Sequence, residues 1–223
     1  MKRVEREQLS AGDECWRMWG RGRAAENDHE VNFGSKVELY ADVLQTRLDD
    51  CAGFNSEATT KRLLAKLEEI DPGIVHLHNL HGYYVNVEIL FDWLARHRCQ
   101  VRWTLHDCWA FAGHCAHFLY TGCDRWRNGC HDCPQKHDYP ASYILDSSAR
   151  NYERKRAAFT SIAPEKMTLC KEILMLKSLN GMADEGFGET TMLIRSMYSG
   201  EKRVLLRLRG ACLATVDAER LVA

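Results

Sequence analysis

The spacing of apolar positions changes several times along the chain, and each change marks an element. In "ECWRMWGRG", Glu14 to Gly22, bulky and polar residues loosely alternate and end on glycines, which predicts a short strand running into a loop. From Val37 to Asp50, Leu39, Tyr40, Val43, Leu44 and Leu48 recur at near-helical spacing. Ser56 then stands in the N-cap position before "EATTKRLLAKLEEIDPG", with Glu57 in the first turn. The stripe Leu63, Leu64, Leu67 and Ile70 predicts a helix, and Asp71-Pro72-Gly73 stops it, because proline cannot extend the helical ladder.

Beyond that stop the period shortens. "GIVHLHNL" is a short β-branched run, "VNVEILFDWLARHR" places Val85, Ile89, Leu90, Trp93 and Leu94 on one helical face, and "QVRWTLHD" is again strand-like. Gly73 to Asp107 therefore reads as a βαβ unit, which normally pairs its strands in parallel. In open parallel sheets ligands sit at the carboxyl ends of the strands, which gathers His78, Asn79, His81, Gly82, His106 and Asp107 around one crevice. His76, on the same strand as His78, is expected on the opposite face as a core histidine. A helix with a mostly solvated, charged face is predicted over Tyr143 to Phe159. Past Phe159 the order of strand, loop and helix is lost. The predicted organisation is an α/β domain over residues 12–160, followed at 161–223 by a divergent tail with no assignable domain.

Charge and composition narrow the function classes. Thirty Lys and Arg against thirty-one Asp and Glu give a net charge of −1, so no nucleic-acid footprint or cationic membrane face is expected. No apolar run approaches the roughly 20 residues that cross a bilayer, and "MKRVEREQLSAGDE" lacks the apolar centre of a signal peptide. The expected compartment is the cytoplasm. The chain has ten cysteines, which should there stay reduced and serve packing, metal binding or catalysis.

Five of those cysteines and four histidines fall between His106 and Gln135, in "HDCWAFAGHCAHFLYTGCDRWRNGCHDCPQ". Cys130-x-x-Cys133 has the spacing of a zinc knuckle, and Cys115 with Cys123 would complete four ligands; the seven residues between that second pair exceed the usual two to four. His114, His117, His131 and His137 are candidates to replace one thiolate. Structural zinc, free buried thiols and a disulfide or redox pair all remain open. The aromatics Trp103, Trp109, Phe111, Phe118, Tyr120 and Trp126 are expected to pack the loop rather than stack on a ligand. Cys15, Cys51, Cys99, Cys170 and Cys212 read as structural.

Taken together, "IVHLHNLHGYYVNVEILFDWL", "VRWTLHDCWAFAGHCAHF", "GCHDCPQK" and "YPASYILDSSARNYERKRAAF" resemble the amino-terminal, acceptor-side domain of bacterial polysaccharide glycosyltransferases of the colanic-acid type. The resemblance covers about Gly12 to Phe159. It implies a Rossmann-like parallel sheet flanked by helices, one half of the two-domain architecture called GT-B, with a Cys-rich loop and an irregular C-terminal tail. The family's opening strand with its glycine-rich loop, and its donor-binding half, have no counterpart here, so a chain truncated at both ends is expected, with little transferase activity on its own.

By the same resemblance, His106 stands near the acceptor hydroxyl and the transferred sugar, where an imidazole can donate or accept near neutral pH. Asp107 either orients that imidazole or caps the following turn. His78, Asn79, His81 and Gly82 would bind substrate. The implied substrates are a nucleotide-sugar donor and a lipid-linked or growing polysaccharide acceptor, with peripheral contact at the inner membrane. Structural zinc at Cys115, Cys123, Cys130 and Cys133 is the one cofactor considered. The competing reading is a non-catalytic, zinc-stabilised binding module or an inactive remnant.

Overall fold

The computed structural model describes residues 14–118 and 121–171. Two strands, β1 (Arg17–Trp19) and β2 (Glu30–Asn32), pair in parallel; β3 (Ile74–Leu77), β4 (Gln100–Leu105) and β5 (Met167–Lys171) form a second parallel sheet in that order. Four helices accompany them: α1 (Lys36–Asp49), α2 (Glu57–Ile70), α3 (Val87–Arg96) and α4 (Ser148–Phe159). The architecture is α/β with parallel strands, compatible with a Rossmann-like fold. None of these helices is long and apolar enough to cross a membrane.

The βαβ unit forms as its sequence requires. In α3, Val87, Leu90, Phe91, Trp93 and Leu94 are buried, and Asn86 caps the helix by accepting the Ile89 N–H at 3.2 Å. Phe91 lies 5.2 Å from Trp103 of β4 and 4.6 Å from Phe159 of α4, so one aromatic cluster joins helix to sheet and α4 to both. β5 falls beyond residue 160, inside the stretch for which no element was expected; pairing with β4 supplies what its own pattern does not. Residues 172–223 lie outside the described residues.

Three expectations are corrected. Ser56 occupies the N-cap position of α2 at φ 56° but makes no cap bond; its hydroxyl goes to Asp42. The apolar stripe of α1 turns inward only in part: Leu39 and Val43 are half-buried and Tyr40, Leu44 and Leu48 are exposed, while Asp42 and Thr46 are buried. Asp42 turns inward because Ser56, Thr46 and Asn55 all bond its carboxylate. Finally, α4 begins at Ser148 rather than Tyr143. The Tyr143 and Leu145 N–H groups are taken by the carbonyls of Arg47 and Leu48 at the end of α1, so this stretch runs as a strap. Nor is α4 wholly solvated on its polar face, since Lys155 is buried.

Candidate functional site

The carboxyl ends of β3 and β4 meet at two linked pairs of side chains. His78 Nδ1 and His106 Nε2 share a hydrogen bond of 2.9 Å, and His81 Nε2 bonds Asp107 Oδ2 at 2.6 Å. Parallel pairing produces the first contact: with Leu77 opposite Trp103, His78 is level with Thr104, and His106 lies two residues further along on the same face. His76 is not on the opposite face. Its ring stacks on that of His78 at 4.4 Å, because residues two apart on a strand share a face, and it bonds Thr104 Oγ1 at 2.8 Å. The three imidazoles thus form a row along the sheet.

Asp107 resolves its two expected roles in an unforeseen way. It orients a histidine, but His81 rather than His106, and it also fixes the next turn, since Oδ1 accepts the Trp109 N–H at 2.9 Å. Burial opposes its ionisation, yet these bonds hold its carboxyl below the ordinary range. Burial pushes His76 down to about 4 and His78 down to about 3, helped by neighbouring cations, so both rings are neutral at pH 7.

The walls come from residues the sequence pattern did not single out. Tyr139 donates its hydroxyl to the His81 carbonyl at 2.8 Å and meets the ring of Tyr83 edge-on at 5.8 Å. Tyr83 holds a left-handed backbone, φ 61°, which a tyrosine adopts only when its surroundings impose it. Arg21 comes close enough for its charge to act on Tyr83, Tyr84 and Tyr139. Gly82 serves shape: a Cβ there would stand 2.0 Å from the ring of Tyr84, whose hydroxyl bonds the Asn79 carbonyl. Only the two tyrosines of "HGYY" were adjacent to a predicted site residue; Arg21 and Tyr139 carried no local signal.

Lys155, fully buried, supports this edge from below. Its ammonium donates to the carbonyls of Trp109 and Ala112 at 2.9 and 2.8 Å and lies 3.6 Å from the Trp109 ring. Burial pushes its pKa down to about 7. It therefore pins the turn that Asp107 begins.

The cysteine-rich loop packs further along. Phe111, Phe118 and Trp126 meet at ring distances of 4.7 to 6.0 Å, and Trp103 and Trp109 are buried in the core, so these aromatics pack as expected; Tyr120 lies outside the described residues. Cys115, Cys123, Cys130 and Cys133 all line one small cavity, which none of the strand-end histidines touches. Burial and the neighbouring Cys115 thiol push the Cys133 thiol far above its ordinary value. Among the described residues, no group of three or more His, Cys, Asp or Glu side chains is placed to hold a metal ion.

Over 74 residues the chain is 36% identical to a protein of Escherichia coli (strain K12) named "Putative colanic acid biosynthesis glycosyl transferase WcaC"; the match covers 31% of this chain and 18% of that protein. No family model and no solved structure matches the chain. The similarity supports a relationship of the glycosyltransferase type.

Proposed function

We propose that the row of side chains at the ends of β3 and β4 is the acceptor side of a glycosyltransferase centre that moves a sugar from a nucleotide-sugar donor to a lipid-linked or growing polysaccharide acceptor. The chain spans 18% of the length of the relative it matches, whose name supports a glycosyl transfer; the nucleotide-sugar donor and the lipid-linked acceptor belong to this proposal. The observation that carries the reading is the His78–His106 hydrogen bond beside the His81–Asp107 pair at one sheet edge. Sugar transfer requires an acceptor hydroxyl to be held and relieved of its proton as its oxygen bonds the anomeric carbon and the bond to the diphosphate breaks.

The four residues divide that work. Neutral His78 fixes the ring of His106 and couples their tautomers: if His78 Nδ1 accepts, His106 Nε2 carries the hydrogen. An imidazole held at this edge is the type of group that receives a hydroxyl proton near neutral pH. Asp107 sets His81 in the same manner, and the tyrosines supply an aromatic wall of the kind on which sugar faces rest.

The test is equilibrium binding of a tritium-labelled, polyprenyl-diphosphate-linked saccharide fraction to the 223-residue chain. His106→Ala and His81→Ala should each weaken binding roughly tenfold, about 1.4 kcal/mol, while the thermal midpoint stays near that of the unaltered chain. Unchanged affinity in both variants would remove these histidines from the site.

A further inference from the structure

Large apolar side chains left in water are usually scattered singly. Here they gather: of the nine exposed among the described residues, seven belong to helix α1 and to the strap that crosses its end. Val37, Tyr40, Leu44 and Leu48 project from α1, with Val37 78% and Leu44 64% exposed. At 3.6 residues per turn these positions fall within an arc of roughly 80°. Tyr143, Ile144 and Leu145 continue the surface, because the Tyr143 and Leu145 N–H groups bond the carbonyls of Arg47 and Leu48 at 2.8 and 3.0 Å. The Arg47 guanidinium lies over the Tyr143 ring at 5.3 Å and ties strap to helix a second time.

The polar groups of this surface are paired within the protein. Besides those two N–H groups, the Leu145 carbonyl accepts from Ser142 Oγ at 2.8 Å and the Ile144 carbonyl from Lys136 Nζ at 3.4 Å. A strap that keeps these bonds internal while its apolar side chains stay exposed can leave water at little cost. The carboxylates of α1 are engaged likewise: Glu38 pairs with Arg62, Asp42 is buried against Ser56 and Thr46, and Asp49 accepts the Cys51 N–H at 2.8 Å. The exposed positions of the helix hold one cation, Lys36, and no carboxylate. Asp138 and Asp146 flank the three apolar residues of the strap without interrupting them.

We propose that this face of α1 and its strap dock the protein on a phospholipid bilayer that carries anionic headgroups. Tyr40 and Tyr143 set apolar rings with polar tips beside aliphatic side chains, the combination that suits the boundary between acyl chains and water. Lys36 and Arg47 stand at the two ends of the stripe, where they meet lipid phosphate. The strap also runs into the candidate site: four residues before Tyr143, Tyr139 donates to the His81 carbonyl at 2.8 Å. The choice of a bilayer over a protein partner rests on the proposed transfer, since a lipid-linked acceptor is then presented from the surface on which the protein lies. Contact is by side chains alone, with the backbone of α1 and the strap left as it is.

Co-sedimentation of the full chain with vesicles of phosphatidylcholine and phosphatidylglycerol, free of saccharide, should carry the protein down with the lipid, and less of it with phosphatidylcholine alone. The double variants Leu44→Gln/Leu48→Gln and Ile144→Gln/Leu145→Gln should each lower the partition coefficient roughly tenfold. Their thermal midpoints should stay near that of the unaltered chain, because all four side chains are exposed in the fold. His106→Ala should bind these vesicles as the unaltered chain does, so that a failure of the transfer reading and a failure of docking are read separately. An unaltered chain that stays in the supernatant overturns the proposal. So does vesicle binding that both double variants retain and high salt abolishes, which is adsorption by charge alone. A lipid-free dimer in sedimentation equilibrium that Leu44→Gln/Leu48→Gln separates overturns it as well, since a second copy then covers the face.

Discussion

At the residue scale, the strand-end histidines show how burial decides protonation. His76 and His78 have folded-state pKa values lowered to about 4 and about 3. A lowered histidine binds its proton in the unfolded chain before it does so in the folded one, so stability is complete above the ordinary value near 6.5 and falls as pH drops below it. Urea midpoints should therefore decline from pH 7 to pH 5, and His78→Asn should flatten that decline. A variant with an equally steep decline would place the acid sensitivity elsewhere. The chemical identity of these residues was legible in "HLHNLH" and "TLHD", but their pairing was not. Asp107 was expected to serve its sequence neighbour, yet a side chain at the end of β4 faces the β3 loop, and His81 is what it meets. The placement of His76 failed for a simpler reason: the two-residue period of a strand puts His76 and His78 on one face.

At the scale of elements, periodicity marked α1, α2 and α3 and composition marked α4, but the inward face followed the apolar pattern in α2 and α3 and departed from it in α1. Helix α3 agreed with its pattern because its apolar stripe is the buried face. Its cap gives a direct test: Asn86 accepts the Ile89 N–H and also donates to the Phe54 carbonyl. Asn86→Ala should cost about 1 to 2 kcal/mol, read from denaturant midpoints. Helix α1 broke the rule, burying Asp42 and Thr46 while Tyr40, Leu44 and Leu48 of its apolar stripe stay exposed; hydrogen-bond partners on other elements are invisible to a pattern read along one helix. Lys155 in α4 is the same lesson in charge. A lysine among "ERKR" reads as solvated, yet it is buried against two carbonyls. Lys155→Met would leave both acceptors unpaired, and a destabilisation of about 2 kcal/mol is expected. A midpoint equal to that of the unaltered chain would show that the ammonium's burial cost cancels its bonds.

At the scale of the whole molecule, the parallel sheet explains why the site is where it is. Consecutive strands β3 and β4 end at one edge, and both the His78–His106 and the His81–Asp107 hydrogen bonds join the segments that leave them. That much followed from the βαβ reading. β5 and Tyr139 did not, because each is brought in by tertiary contact. The central claim is that an acceptor saccharide sits on this edge, and nitrogen-detected NMR of the histidine rings tests it most directly. On titration with a polyprenyl-diphosphate-linked saccharide, the ring signals of His78, His81 and His106 should shift together. Those of His97, which precedes β4 at the opposite end of the strand, and of His131, on the cysteine-lined cavity, should stay in place. Shifts confined to His97 or His131, or no shift at saturating saccharide, would contradict the account.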